Sequence, residues 1–384
     1  MKTQIYLDNS ATTAVCEAAR QAACQAMEFN YYNPAALYKP AVALEKQIEA
    51  VRQDMAGGMG ATAAELTFVS GGTEANHIAI LGLSALARNK KYRFVCGPME
   101  HPAVYRCFEV LAERGHEVVT LHCDPEGKID AAELESVVNA DTALVSIMHV
   151  NNELGAVADL AALQAAIAKA NPNTVFHSDG VQAFAHLLPS HLPVDAYSLS
   201  GHKCHAPKGS GALLLRKGRA RAAGPPGGGQ EGGVRSGTLN VPGILGLGAA
   251  YACWKEQAGE QLAQMKACKQ RLATALLSLP DVLLNGPAVE SGAPHILNLS
   301  FMGVRGEVLL HALEEKGILV STGSACSSRR AGQNRALAAI GVEGERAGAA
   351  VRFSLGRFNT LAEMDRVAEE IGQLLPLLRR FQPR

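Results

Sequence analysis

The sequence predicts an α/β fold, a mainly parallel central sheet followed by a smaller α+β domain, on three observations. From about residue 62, short β-rich runs alternate with turns and amphipathic helical stretches, the pattern of crossover-connected parallel strands covered on both faces. The 384 residues suit two domains, and 48% hydrophobic against 19% charged residues fill a sizeable core without staples. After a glycine-rich interruption, GPPGGGQEGGVRSGT at 224–238, the alternation gives way to one long helical stretch and a mixed tail.

Taken in order, LTFVS (66–70) reads as a strand before the helical EANHIAILGLSALA, and RFVCG (93–97) as a strand before HPAVYRCFEVLAERG. EVVTL, TALVSIMHV (142–150), TVFHSD (174–179) and AYSLS (196–200) continue the strands. The polar clusters SGGTEAN, EHP, NNE, DGVQ and SGHK each follow one of these runs, and such sheets bind ligands beyond the carboxyl ends of their strands. The glycine-rich passage is either a flexible linker or an ordered loop whose backbone approaches a ligand or another subunit. A helix is expected from about Val241 to Leu279. HILNLSF, GEVLLHALEEKG, ILVSTG, AVRFSLG and a last helix opened by the capping box Thr360-x-x-Glu363 make the smaller unit. The expected division gives 14–260 to the large domain, and 1–13 with 261–384 to the small one.

Lys plus Arg equals Asp plus Glu at 36 each, so no global field draws nucleic acid or an anionic membrane. MKTQIYLDNS lacks an apolar signal core, and no apolar stretch is long enough to span a bilayer. The expectation is a soluble, cytoplasmic protein. Nine cysteines without a C-x-x-C pair argue against a complete disulfide framework. Most are expected to be reduced and buried.

The chemistry concentrates around Lys203, which lies between His202 and His205 just after AYSLS. A desolvated lysine has a lowered pKa, and its neutral amine attacks carbonyls. Gly71-Gly72-Thr73 sits between a strand and a helix, where free N–H groups, the helix dipole and the threonine hydroxyl suit an anion. Asp179 at the end of TVFHSD either keeps a pyridinium nitrogen protonated or caps a helix. Gln182 faces the same side one turn into that helix. His101 offers a flat ring for stacking, and Asn152 donates to a phenolic oxygen or caps a turn. HKCH matches no common zinc spacing, so no metal is expected. A carbonyl-binding lysine, a carboxylate, a phosphate cradle and a stacking ring are what pyridoxal 5'-phosphate asks of a protein.

With LDNSATT (7–13), SGGTEAN (70–76), EHPAV (100–104), HVNNELG (149–155), HSDGVQ (177–182), SGHKCHAPKG (200–209), RSGTLN (235–240), STGSACSS (321–328) and VRFSLGRF (351–358), the chain resembles the cysteine desulfurases. These are pyridoxal-phosphate enzymes of the class V aminotransferase group with the fold type I architecture, and the match runs through nearly the whole chain in the family's order. The resemblance implies that Lys203 carries the cofactor, Asp179 pairs with its ring nitrogen, and Gln182 and Asn152 contact the ring oxygen or substrate. His101 stacks over the ring, while Gly72, Thr73, Ser200 and His202 hold the phosphate. The family is dimeric, so Thr238 is expected to reach the phosphate of the neighbouring subunit. Arg352 holds the substrate carboxylate, a task suited to the guanidinium fork.

Cys326 decides the reaction that the resemblance implies. It lies in a Gly- and Ser-rich segment followed by two arginines, surroundings that favour thiolate. L-cysteine is the substrate, Lys203 removes its Cα proton, and the Cys326 thiolate takes the sulfur as a persulfide, leaving L-alanine. His101 is the candidate acceptor of the substrate thiol proton. The sulfur then passes to an acceptor protein, an iron-sulfur scaffold or a sulfurtransferase. Another lyase, an aminotransferase or a selenocysteine lyase of the same fold is the alternative, and a regulator that lost turnover is a third reading. The spacing from Cys326 to Arg352 agrees with the long-loop group. Where many relatives carry an arginine after the glycine-loop glutamate, this chain has Glu231-Gly232-Gly233, which bears on local ion pairing rather than on the cofactor.

Overall fold

The computed structural model describes residues 4–84, 91–187, 191–218, 224, 226–322 and 334–381. A short β1 (Ile5–Tyr6) precedes the main sheet, built from β2 (Leu66–Val69), β3 (Arg93–Cys96), β4 (Glu117–Thr120), β5 (Thr142–Ser146), β6 (Val175–Asp179), β7 (Ala196–Ser200) and β8 (Gly211–Leu215). Their order is β2-β8-β7-β6-β5-β3-β4. The five strands from β7 to β4 run parallel, whereas β8 is antiparallel to both of its neighbours. The expected strands all form, and β8 is an addition. Its GALLL run is as continuously apolar as the other strands, but it leads into the charged and glycine-rich sequence RKGRARAAGPPGGG, so it falls outside the strand–helix rhythm.

Alternate residues of each strand enter opposite faces. Phe68, Val95, Val145, Phe176 and Tyr197 join one buried cluster. Val69, Phe94, Leu144, Val175 and Ala196 join another, under the helices Gly72–Ser84 and Pro102–Glu113. Both faces are thus covered, which explains why the strands are near-continuous apolar runs.

A second core surrounds an antiparallel sheet of β9 (Val282–Leu284), β10 (Ile296–Phe301) and β12 (Ala350–Ser354). β1 pairs in parallel with β11 (Ile318–Leu319), and Ile5 and Leu7 belong to this second core. The helix Val241–Leu277 serves both. Its first part, from Val241 to Ala258, packs on the main sheet, and Cys268, Leu272 and Leu276 pack on the small one. The helix Leu361–Leu378 opens with both hydrogen bonds of the Thr360–Glu363 capping box. No helix among the described residues is long and apolar enough to cross a membrane.

One expectation is corrected: the chain after Asp179 makes successive turns rather than a regular helix, with Ala183 and Phe184 N–H both bonded to the Gly180 carbonyl and Ala185 at φ 59°. The eight described cysteines are free and most are buried, as expected: five are buried, Cys123 and Cys253 are half-buried and Cys24 is exposed.

Candidate active site

The carboxyl ends of β6 and β7 open into a cavity of about 360 Å³. Gly72, Thr73, His101, Asn152, Asp179, Gln182, Ser200, His202, Lys203 and Arg352 all line it. Thr238 does not; it lines surface depressions beside Glu231 and beside Tyr31 and Tyr32. Cys326 lies outside the described residues. Thr322, the last described residue before it, is buried and lines the cavity.

Lys203 follows β7 in the short turn Gly201–Lys203. Its Nζ donates to the carbonyls of Ser10 at 2.5 Å and Ala11 at 2.7 Å, so the amine is held against the N-terminal segment that closes the cavity. His202 Nδ1 is 3.1 Å from Thr12 Oγ1. Burial, reinforced by Lys203 and Lys208, pushes its pKa down to about 4, so the ring is neutral at neutral pH. His205 turns away and bonds the Ala14 carbonyl at 2.8 Å. Cys204 is buried behind the lysine, its thiol pushed up to about 12 by burial.

Asp179 is held by two donors. Asn76 Nδ2 reaches Oδ2 at 2.7 Å, and the Val181 N–H reaches Oδ1 at 3.0 Å. Gln182 Nε2 donates to the Ser10 carbonyl at 2.9 Å, so its position against the cavity comes from a tertiary bond rather than helical spacing. The phosphate-cradle candidate depends on close approach. A Cβ on Gly72 would lie 2.5 Å from Val181 Cγ2, and one on Gly211 would lie 2.7 Å from Gly71 Cα. Glycine at both positions lets the Gly71–Thr73 turn come against Ser200 and places the first N–H groups of the helix Gly72–Ser84 beside the cavity.

His101 caps the helix Pro102–Glu113, its Nδ1 accepting from the Ala103 N–H at 3.1 Å. In the neutral ring the hydrogen is therefore on Nε2. Desolvation holds its pKa below the ordinary 6.5, with Lys203 adding to the effect and Asp179 opposing it. Glu100, just before it, is 4% exposed and accepts from the Met148 N–H at 2.7 Å. Burial pushes its carboxyl up to about 8.

Arg352 comes from β12 and is buried. It donates to Asp8 Oδ1 at 2.8 Å, to Glu153 Oε1 at 2.9 Å and to the Asn152 carbonyl at 3.0 Å. Asn152 Nδ2 also reaches Glu153 at 2.9 Å, while the turn itself is capped by Asn151. Asp8, Ser10, Asn76, Glu100 and Glu153 are the site residues that sequence reasoning did not single out. All lie inside or beside the motifs quoted above, but their partners are distant in the chain. The glycine-loop glutamate also finds a partner: Glu231 bonds Arg52 through both oxygens at 2.7 and 2.8 Å and accepts from the Phe68 N–H.

The cavity suits pyridoxal phosphate. It is bordered by a lysine, by a carboxylate already fixed by two donors and by a helix N-terminus. Gln182 Oε1 and Ser10 Oγ are buried there without hydrogen-bond partners among the described residues, the condition expected of groups meant for a ligand.

Residues 5–367 match the class-V aminotransferase family. A curated relative, the cysteine desulfurase IscS of Escherichia coli O139:H28 (strain E24377A / ETEC), is 40% identical over an alignment covering 100% of this chain and 95% of that one. Among solved structures, a NifS-like protein superposes with a TM-score of 0.92 at 32% identity, covering 98% of this chain and 100% of that one. A NifS-like protein from Rickettsia africae ESF-5 gives 0.84 at 27% identity, over 97% of this chain and 100% of that one. The chain belongs to the class-V aminotransferase family, among its pyridoxal-phosphate-dependent cysteine desulfurases.

Proposed function

We propose that this chain converts L-cysteine to L-alanine and transfers the sulfur to Cys326 as a persulfide. The observation that carries the reading is convergence: Lys203, Asp179 and Arg352, from three distant segments, line one cavity together with Thr322. Cys326 follows Thr322 by four residues, a separation that extended chain bridges with about 14 Å.

In this reading Lys203 would hold pyridoxal phosphate, and Thr73, Ser200, His202 and the N–H groups after Gly72 would hold its phosphate. Asp179, fixed by Asn76 and the Val181 N–H, would present negative charge to the ring nitrogen. His101 would cover the ring, and Asn152 and Gln182 would contact the ring oxygen or the substrate. When bound, the cofactor would supply an electron sink for the electron pair left on the substrate's Cα when its proton departs. Lys203 moves that proton, and Arg352 orients the substrate through its carboxylate. His101 is also assigned the thiol proton, which requires its cap bond at Nδ1 to open. The Cys326 thiolate then forms an S–S bond to the substrate sulfur as the C–S bond breaks. L-cysteine and a thiol become L-alanine and a persulfide, so the step balances without an external oxidant.

The sulfur leaves to an acceptor protein, either an iron-sulfur scaffold or a sulfurtransferase. A homodimer is proposed because Thr238 lies away from its own chain's cavity, next to an exposed apolar group that includes Met27 and Tyr31. The same reading divides the chain into 14–260 and 1–13 with 261–384, in line with the two cores that share the helix Val241–Leu277. It also places the protein in the cytoplasm, with no nucleic-acid or membrane partner. Mass spectrometry after exposure to L-cysteine tests the function: Cys326 should gain one sulfur atom, and Cys326→Ala should not. An unmodified Cys326 in protein that makes alanine would reject the sulfur-transfer step.

A further inference from the structure

The arginine assigned to the substrate's carboxylate already grips two carboxylates of its own chain. Arg352 Nη2 donates to Asp8 at 2.8 Å, and Nη1 donates to Glu153 at 2.9 Å. An amino-acid substrate brings a third carboxylate to a single guanidinium, and like charges crowded at one cation repel. One of the three must give way.

The surroundings say which. The Glu153 carboxylate has a second holder, since its Oε1 also accepts from Asn152 Nδ2 at 2.9 Å. Its side chain is 17% exposed. The Asp8 side chain is 23% exposed and lines the cavity. Its backbone is fixed by the bridge to Ser354 and by Tyr6 Oη on its carbonyl. Rotation about its side-chain bonds therefore lets the carboxylate leave Arg352 without moving the chain.

We propose that Asp8 stands in for the substrate's carboxylate on Arg352 and is displaced by it, so that Asp8 sets how tightly the site takes an amino acid relative to a simple amine. The inference rests on the functional reading above and adds a specificity residue to it. Asp8 keeps the arginine's charge compensated between turnovers. A ligand with no carboxylate leaves the Asp8–Arg352 pair in place and gains nothing from Arg352. An amino acid gains the arginine but must first dislodge Asp8.

The test is titration of the cofactor-loaded enzyme with L-alanine and with ethylamine, followed by the absorption of the bound cofactor. Asp8→Asn keeps the shape and removes the charge. It should lower the dissociation constant for L-alanine about tenfold, equivalent to about 1.4 kcal/mol, and leave that for ethylamine within about twofold. Equal or weaker binding of L-alanine by Asp8→Asn overturns the proposal, as does tightening by Glu153→Gln in place of Asp8→Asn. Asp8→Ser is the second variant, judged by the same criterion. If neither Asp8 variant folds with cofactor, Asp8 is structural and the proposal falls. Wild-type enzyme whose absorption ignores L-alanine removes the functional reading itself, an outcome separate from a wild type that responds while Asp8→Asn gains no affinity.

Discussion

Glu100→Gln should stabilise the protein, and the gain should grow with pH. Glu100 is 4% exposed, and burial pushes its carboxyl from the ordinary 4.5 up to about 8; Asp179 adds to the rise, and the Met148 N–H and Arg335 oppose it. The folded state therefore keeps this proton up to about pH 8, whereas the unfolded chain releases it above 4.5. The stability that Glu100 contributes is complete below 4.5 and is lost as pH rises through the folded value. At pH 7 the accumulated loss is about 3 kcal/mol. Glutamine has no proton to release, and its carbonyl oxygen can keep the 2.7 Å bond from Met148 N–H. Denaturant unfolding across the pH range is the assay. Wild type and variant should coincide near about pH 4.5 and separate by about 3 kcal/mol at about pH 7. A difference that stays flat with pH, or a glutamine variant less stable at about pH 8, would mean that Glu100 is ionised in the folded protein at neutral pH.

Three further substitutions probe the site and its frame. Gly72→Ala forces a Cβ to within 2.5 Å of Val181 Cγ2; it should cost about 1–3 kcal/mol of stability and weaken cofactor uptake, both measurable by denaturation and fluorescence titration. Asn76→Ala leaves Asp179 with the Val181 N–H but without the 2.7 Å amide bond; cofactor affinity should drop about tenfold with little change in overall fold, read by equilibrium dialysis and circular dichroism. Glu231→Ala takes two acceptors from Arg52, which keeps Glu49 at 3.0 Å and the Leu66 carbonyl at 2.7 Å, and leaves the Phe68 N–H without its acceptor. With the guanidinium still paired, the loss in denaturant should be about 1–3 kcal/mol, and one below about 0.5 kcal/mol would mean that water replaces the lost bonds.

How much was legible from the sequence follows the range of the forces. The strands of the main sheet are continuous apolar runs because both of their faces are buried, and that signal is local. β8 is not marked locally, since GALLL runs into a charged, glycine-rich stretch; its pairing with Phe68 and Leu199 across the sheet makes it a strand. The chain after Asp179 looks helical in composition, but the Gln182 bond to the Ser10 carbonyl and the Asp179 bond to the Val181 N–H draw it into turns. Ten of the predicted site residues meet at one cavity; Gly72, Thr73, His101, Asp179, Ser200, His202 and Lys203 do so because they sit at or just past a strand end or at a helix start, while Asn152 and Gln182 come from turns and Arg352 from the middle of β12. Asp8, Asn76 and Glu153 were not picked out because their roles depend on partners 344, 103 and 199 residues away. Arg52, the partner of Glu231, is 179 residues away, so no local pattern reveals the pair.

In the proposed function the Lys203 amine is the covalent anchor of the cofactor. Borohydride reduction of the native, cofactor-loaded protein followed by digestion and peptide mass spectrometry tests it directly. The cofactor mass should appear on the peptide containing Lys203 and disappear in Lys203→Ala. Reduced cofactor on another lysine, or a protein that takes up none, would rule out Lys203 as the anchor.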